Sequence, residues 1–110
     1  MNSSENDVIA SEWDVALAGL LRYEYDRLAR PLNMADVKRL AAEHGMRFND
    51  LIVTLLQLCI HRQWRYRNPD GVERLITKAV LAGLRRRGRL HEHDFREYTG
   101  GWRPEEQTPL

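Results

Sequence analysis

The stretch Leu51-Ile52-Val53-Thr54-Leu55-Leu56-Gln57-Leu58-Cys59-Ile60 is apolar at eight of its ten positions. No glycine or proline interrupts it, and the polar residues that flank it, Asn49-Asp50 and His61-Arg62-Gln63, are typical of helix ends. A helix that is apolar on nearly every face is a buried helix. Each large side chain in it contributes at most about 1.5 to 3 kcal/mol when it leaves water. We therefore expect this helix to form the centre of the core.

The length of 110 residues predicts one domain over 1–110, with flexible ends at about 1–7 and 103–110. The charges nearly balance, with 17 Lys plus Arg against 16 Asp plus Glu, so the whole chain has no electrostatic preference for nucleic acid or anionic lipid. A single cysteine excludes an intrachain disulfide, and residues 1–7 lack the basic and apolar regions of a signal peptide. No apolar run approaches the roughly 18 residues of a membrane span. We expect a cytoplasmic protein without a membrane partner.

The predicted fold class is all-α, a compact array of four main helices with a short C-terminal helical turn. The helices are predicted at about 11–30, 34–44, 49–65 and 69–87, from apolar residues that recur every three or four positions. Ser11 and Asp14 have capping-box spacing at the first helix, and Pro31 ends it. Asn33 caps the second helix, and Gly45 follows its end.

The segment Asn68-Pro69-Asp70-Gly71 has two interpretations. It can be the turn of a hairpin, or wing, that joins residues 64–67 to residues 72–76. It can also be the cap and first turn of the helix at 69–87. The apolar residues that follow have the spacing of a helical stripe, which favours the helix: Val72, Leu75, Ile76, Ala79, Val80 and Leu84.

Residues 35–57 resemble a helix-turn-helix, since Gly45 lies between two predicted helices and Ala41 precedes it by four positions. A recognition helix must offer polar side chains to base edges, whereas Asp50 would repel phosphate and apolar residues follow at once. A DNA-binding transcriptional regulator is therefore the alternative function, and we disfavour nucleic acid as the partner.

Two clusters of arginine can form a basic surface for phosphate or for an acidic protein, although each also opposes the negative end of a helix dipole. Their members are Arg62, Arg65, Arg67, Arg85, Arg86, Arg87 and Arg89.

His91 and His93 could be metal ligands, but side chains at positions i and i+2 of a helix point apart. No catalytic motif is present, and burial would raise the pKa of Cys59, so we expect a non-enzymatic chain without a cofactor or metal.

The chain has more apolar side chains than four helices of this size can cover. A homodimer or another protein partner would bury the surplus, unless the C-terminal segment with Phe95, Tyr98 and Trp102 folds back over it. The predicted protein interface consists of Trp13, Leu17, Leu21, Leu51, Ile52, Leu55, Leu56, Cys59, Trp64 and Tyr66.

The segment Leu17–Arg30 and the apolar run after Asn49 resemble, in overall character, the small helical anti-activators of bacterial quorum sensing. Members of that family bind a LuxR-type transcription factor and block its dimerisation. The resemblance implies a regulatory protein that acts by protein–protein interaction. An apolar helical face anchored by aromatic residues and arginine would cover the surface that the transcription factor uses to pair.

Overall fold

The computed structural model describes residues 13–105, except for the Arg87 side chain. In chain order the described elements are α1 (Val15–Leu28), α2 (Met34–Glu43), α3 (Phe48–Ile60), β1 (Trp64–Arg67), α4 (Lys78–Leu84), two 3-10 turns (Arg85–Arg87 and Glu92–Phe95) and β2 (Gly101–Pro104). The all-α prediction is wrong, because β1 and β2 pair as an antiparallel sheet. The chain is a mixed α and β fold.

Helix α1 begins later than the predicted residue 11, since Trp13 and Asp14 are not helical and Asp14 is the N-cap. The Asp14 carboxylate accepts a hydrogen bond of 3.0 Å from the Leu17 amide. The predicted capping role of Ser11 lies outside the described residues. At the other end Ala29 adopts a left-handed conformation with φ 56°, and this ends the helix two residues before Pro31.

Helix α2 confirms the second predicted helix together with its cap. The Asn33 side chain accepts from the Asp36 amide at 2.8 Å, and the Asp36 carboxylate accepts from the Asn33 amide at 2.9 Å. This reciprocal pair is a capping box. Gly45, with φ 63°, then takes the left-handed position that closes the helix and turns the chain towards α3.

Helix α3 confirms the predicted buried helix: Leu51, Ile52, Leu55 and Leu56 are fully buried. It is shorter than the predicted span of 49–65, because Arg62 adopts a left-handed conformation with φ 64°. The Arg62 and Gln63 amides then donate to carbonyls of the last turn, as in a Schellman motif. The chain leaves the helix there and enters β1.

The sheet joins three distant parts of the chain. In the register of the two strands Trp64 faces Pro104 and Tyr66 faces Trp102. On its other edge β2 pairs with Leu32, since the Leu32 and Trp102 amides each donate to the carbonyl of the other at 2.8 Å. The spatial order is therefore Leu32, β2, β1, and this order fixes the linker between α1 and α2 against the C-terminal strand.

The predicted helix at 69–87 is wrong over its first half. The Gly71 amide donates to Asn68, the Asn68 amide donates to Val72, and an isolated bridge pairs Arg67 with Glu73. These turn bonds use the backbone groups that a helix would need, so the hairpin interpretation of residues 68–71 is the closer one. Helix α4 begins only after Thr77, whose hydroxyl accepts from the Val80 amide at 3.2 Å.

The C-terminal segment completes the core. Phe95, Tyr98 and Trp102 are buried, and their rings lie against Phe48 and Tyr66 at centroid distances of 4.5 to 6.1 Å. The short C-terminal helical turn is confirmed as the 3-10 turn at Glu92–Phe95.

The boundary of the flexible end predicted at 103 needs correction. Arg103 and Pro104 belong to β2, and the Glu105 amide donates to the Gln63 carbonyl at 2.8 Å. The predicted flexible end at 1–7, and residues 106–110 of the one predicted at 103–110, lie outside the described residues. No described helix has the length and apolar character needed to cross a membrane.

Two adjacent glycines allow the close approach of β2. A Cβ atom on Gly100 would lie 1.8 Å from the Arg67 carbonyl oxygen, and one on Gly101 would lie 2.6 Å from Pro31 Cβ. The Gly100 amide also donates to the Tyr66 hydroxyl at 2.8 Å. The sequence Gly100-Gly101 is therefore a packing requirement of the sheet as well as a break after the 3-10 turn.

Candidate functional site

Most of the predicted protein interface lies inside the folded chain. The members that are buried are Leu21, Leu51, Ile52, Leu55, Leu56, Cys59, Trp64 and Tyr66. Only Trp13 and Leu17 keep part of their surface exposed. The chain itself covers its central helix, and the cover includes the C-terminal rings of Phe95, Tyr98 and Trp102. A binding surface must therefore be sought outside the core.

Gly45 joins α2 to α3, as the helix-turn-helix prediction requires, but the start of α3 is covered. The Asn49 side chain accepts a hydrogen bond of 2.8 Å from the Leu90 amide, so the residue best suited to read a base is occupied. The stripe of α3 that still meets solvent includes Asp50, Val53, Gln57 and Ile60, and Asp50, the charged residue among them, repels phosphate. This face lacks the polar and basic side chains of a recognition helix.

Around α3 the chain forms a helix, a bridging residue at Leu32, two helices and two strands, and the second strand lies between Leu32 and the first. Residues 68–100 connect the two strands, and they contain α4 and both 3-10 turns. This long connection supplies the side chains that cover the start of α3, including Leu90 and Phe95.

An apolar groove of about 710 Å³ lies at the opposite end of α3. We define the apolar groove by its lining, which comprises Trp13, Val15, Ala18, Gly19, Arg22, Tyr25, Leu58, Gln63, Trp64, Pro104 and Glu105. Val15 is 63% exposed although it is a large aliphatic residue. The Tyr25 and Trp64 rings meet edge to face at 6.1 Å and form its floor with Leu58. A concavity that leaves Val15 exposed beside a half-buried tyrosine is typical of an interaction surface.

One wall of the apolar groove is α1, which buried charges fix to α2. Glu24 is 3% exposed, and its carboxylate lies 2.6 Å from both Arg27 and Arg39. The hydrogen bond from Arg27, supported by the one from Arg39, holds the pKa of Glu24 below its usual range despite burial. The ion pair between Glu24 and Arg39 joins the two helices.

Asp36 is the second buried carboxylate of this junction. Arg30 lies 2.6 Å from it and Arg39 lies 3.3 Å from it. Burial opposes ionisation, but the hydrogen bonds from Arg30, the Asn33 amide and Arg39 outweigh it and hold the pKa of Asp36 below its usual range. Both carboxylates form ion pairs that hold α1 against α2, so their role is to stabilise the fold.

The predicted basic surface divides into two parts. Arg62 and Arg67 are exposed near β1, whereas Arg65 forms ion pairs with Glu73 at 3.2 Å and with Glu105. Arg65 is therefore neutralised by its neighbours. Arg85, Arg86 and Arg89 follow α4 at a distant part of the surface, where the Arg87 side chain is not described.

Two arginines that the sequence analysis missed join this second group. Arg74 lies over the Tyr98 ring, 4.1 Å from its centroid, and Arg96 donates to the His93 carbonyl at 3.0 Å. A concavity of about 400 Å³ brings both together with Arg86. They are separated by 22 residues in the sequence, so only the fold reveals that they are neighbours.

The arginine face, as we name it, consists of Arg74, Arg86, Arg89, Arg96, His91 and His93. Asp94 and Glu97 also line it. Among the residues that the structure describes, none of its four arginines forms an ion pair with a carboxylate. The His91 and His93 rings are exposed and nearly parallel, with centroids 6.1 Å apart and planes inclined by 12°.

The remaining reactive groups are explained by packing. Burial raises the pKa of Cys59 to about 12, so its thiol is not an activated nucleophile. Within residues 13–105 no set of three His, Cys, Asp or Glu side chains has an arrangement that could hold a metal ion. Burial also raises the pKa of Tyr98, with partial compensation from Arg74.

Comparison of this chain with protein-family models, with curated proteins and with solved structures gave no match. The apolar groove and the arginine face are the two surfaces from which a function can be inferred.

Proposed function

We propose that this chain is a non-enzymatic regulatory protein that acts by protein–protein interaction and that binds its partner in the apolar groove. The observation that carries the proposal is the exposure of Val15 beside the aromatic floor of Tyr25 and Trp64. The half-buried Tyr25 ring supplies contact area at a low entropic cost, and aromatic residues are enriched in the parts of interfaces that dominate affinity. Arg22, in the same lining, gives the groove a charged edge.

The resemblance to quorum-sensing anti-activators suggests the class of the partner. Ala18, Gly19, Arg22 and Tyr25 line the groove and belong to the segment Leu17–Arg30 on which that resemblance depends. We propose that the partner is a transcription regulator whose dimerisation or DNA binding is blocked when its surface occupies the groove. A cytoplasmic location is part of this proposal, because the target acts there.

A photoreactive amino acid placed at residue 15 in the native cell tests the proposal. We expect a covalent adduct with one DNA-binding regulator. Val72 provides a matched control, since it is 58% exposed but lies outside the groove. Identical adducts from both positions, or no adduct from residue 15, would contradict the proposal.

Light scattering on the purified chain tests whether a second copy also occupies the groove, as a homodimer requires. We expect a dimer that Val15→Glu dissociates, because the new charge would have to be desolvated in the contact. Val72→Glu should leave the dimer intact. A monomeric wild-type chain at micromolar concentration would exclude the homodimer while the cross-linking experiment still tests the protein partner.

DNA binding through α3 is the second candidate, and the connection of α2 to α3 through Gly45 favours it. The occupied Asn49 and the solvent-facing Asp50 count against it. Fluorescence anisotropy with mixed genomic duplexes at low salt separates the two functions. Tight and salt-sensitive binding that Gln57→Ala weakens would favour the DNA function, because Gln57 lies on the solvent-facing stripe of α3.

A further inference from the structure

We propose that the arginine face is a binding site for single-stranded nucleic acid, with phosphates held by Arg86, Arg89 and Arg96 and bases stacked on His91 and His93. This inference is independent of the apolar groove, because the two surfaces lie at opposite ends of α3. Leu90 and Arg89 adjoin the start of that helix, while Trp13 contacts His61 after its end. A helix of 13 residues separates its ends by roughly 20 Å.

The distribution of charge supports an anionic ligand. Residues 85–98 together with Arg74 contain six arginines and three carboxylates, a formal net charge of +3. The whole chain carries only +1, so the rest of it carries −2 and the molecule is electrically asymmetric. Clustered charge of this kind steers a polyanion to one face even when the total charge is small.

Two of the three carboxylates are already occupied. Glu92 pairs with Lys38 at 3.0 Å, and Asp94 accepts from the His91 amide at 2.8 Å and lies 3.5 Å from the His93 ring. Neither therefore neutralises an arginine of the face. Glu97 is the remaining negative charge, and it leaves the guanidinium groups in clear excess.

The chemistry of the face favours nucleic acid over an acidic protein. Its side chains are mostly arginine and histidine, whereas the core of a protein interface needs apolar contact area. Histidine rings and guanidinium planes both stack on unpaired bases. The backbone beneath the His91 ring is fixed, since the His91 amide donates to the Asp94 carboxylate at 2.8 Å and the His91 carbonyl accepts from the Asp94 amide at 3.0 Å.

A single strand suits this face better than a duplex. Reading a duplex needs a helix or ribbon that enters a groove, and the start of α3 is covered by the connection that bears the arginines. Unpaired bases can reach the His91 and His93 rings without any such element.

The test is fluorescence anisotropy with a labelled 12-nucleotide RNA of mixed sequence and with the same sequence as a duplex. With three or four phosphates neutralised, the slope of log K against log salt for a single strand is roughly −2 to −3. We expect affinity for the single strand to fall roughly 20- to 50-fold between 50 and 200 mM salt. Equal or tighter binding of the duplex would contradict a single-strand site.

The double variant Arg86→Gln with Arg89→Gln should reduce the salt slope by about 1.4, since two phosphate contacts are lost. The matched control is Arg22→Gln with Arg62→Gln, which removes the same charge from the other end of the molecule. We expect the control to bind RNA as the wild type does. A loss of equal size in both variants would show that only net charge matters and would overturn the site.

A third variant tests stacking separately from charge. His93→Ala should weaken RNA binding by about fivefold or more at pH 8 and leave the salt slope unchanged. Unchanged affinity would show that His93 does not stack on RNA bases.

Competition with poly-glutamate tests the class of ligand. If poly-glutamate displaces the RNA at equal charge concentration, the face is a site for acidic proteins and the nucleic-acid proposal fails. Urea unfolding of each variant checks that the fold is retained.

Discussion

Buried charges join α1 to α2, whereas aromatic rings and two glycines join β2 to β1. At the first junction Glu24 and Asp36 lose water and depend on ion pairs with Arg27, Arg30 and Arg39. At the second junction Tyr66 and Trp102 stack with centroids 4.5 Å apart. The first junction depends on ionisation and can relax by small side-chain movements. The second depends on backbone contact and cannot relax, so the two should respond very differently to substitution and to pH.

The largest expected effect is at the second junction. Gly100→Ala places a Cβ atom within 1.8 Å of the Arg67 carbonyl oxygen, which is backbone and cannot move aside. We expect the free energy of unfolding to fall by about 3 kcal/mol or more, measured by urea titration. Gly19→Ala is the control, because no heavy atom lies within 4 Å of its Cβ position in α1. It should stabilise the chain by about 0.5 to 1 kcal/mol.

A smaller effect is expected at the first junction. Glu24→Gln leaves Arg27 without its carboxylate partner, whereas Arg39 keeps its ion pair with Asp36, and both arginines are partly exposed and regain water. We expect a loss of about 1 to 2 kcal/mol in the same titration. Asp26→Asn removes an exposed partner of Arg22 and should change stability by less than about 0.5 kcal/mol. A loss from Asp26→Asn as large as that from Glu24→Gln would show that burial of the pair is irrelevant.

The charged junction should also make stability depend on pH. The pKa values of Glu24 and Asp36 are lowered in the folded chain, so their contribution is complete above the unfolded pKa values of roughly 4. It is lost as pH falls through the lower folded values, when the carboxylates protonate. Urea titrations between pH 6 and pH 2.5 should therefore show a steeper decline for the wild type than for the double variant Glu24→Gln with Asp36→Asn. Parallel curves would contradict the assignment.

The smallest expected effect is the chemical modification of the Cys59 thiol in the folded chain. Cys59 is buried and its pKa is raised to about 12, so the thiolate is scarce at pH 8. We expect iodoacetamide to leave the native chain unmodified and to alkylate it readily in urea, as measured by mass spectrometry. Rapid alkylation without denaturant would show that the end of α3 opens.

The parts of the fold that the sequence predicted are those with local causes. The burial of Leu51–Ile60 follows from its composition, and the Asn33–Asp36 capping box follows from spacing. Gly45 predicted the end of α2 correctly, because glycine adopts positive φ easily. Arg62 also adopts positive φ and ends α3, but arginine rarely takes this conformation. The predicted helix therefore extended too far, into the residues of β1.

The missed parts depend on contacts between distant residues. Strands of four residues have no periodicity to detect, and their pairing requires the approach that Gly100 permits. The apolar stripe after Val72 was misleading because Val72 and Leu75 are exposed. Arg74 and Arg96 joined the arginine face through the fold alone. Conversely, the buried members of the predicted interface were recognised as apolar, but sequence could not show that the C-terminal segment covers them.

Native-state amide hydrogen exchange at Leu32 and Trp102 tests most directly whether β2 closes the core of a single chain. Each of these amides donates to the carbonyl of the other residue, in the centre of the sheet. We expect both to exchange on the order of a thousandfold or more slowly than in the unfolded chain, at the rate of global unfolding, and to keep this protection in the dissociated Val15→Glu chain. Exchange at the rate of an unfolded peptide, or protection only at high concentration, would contradict this account.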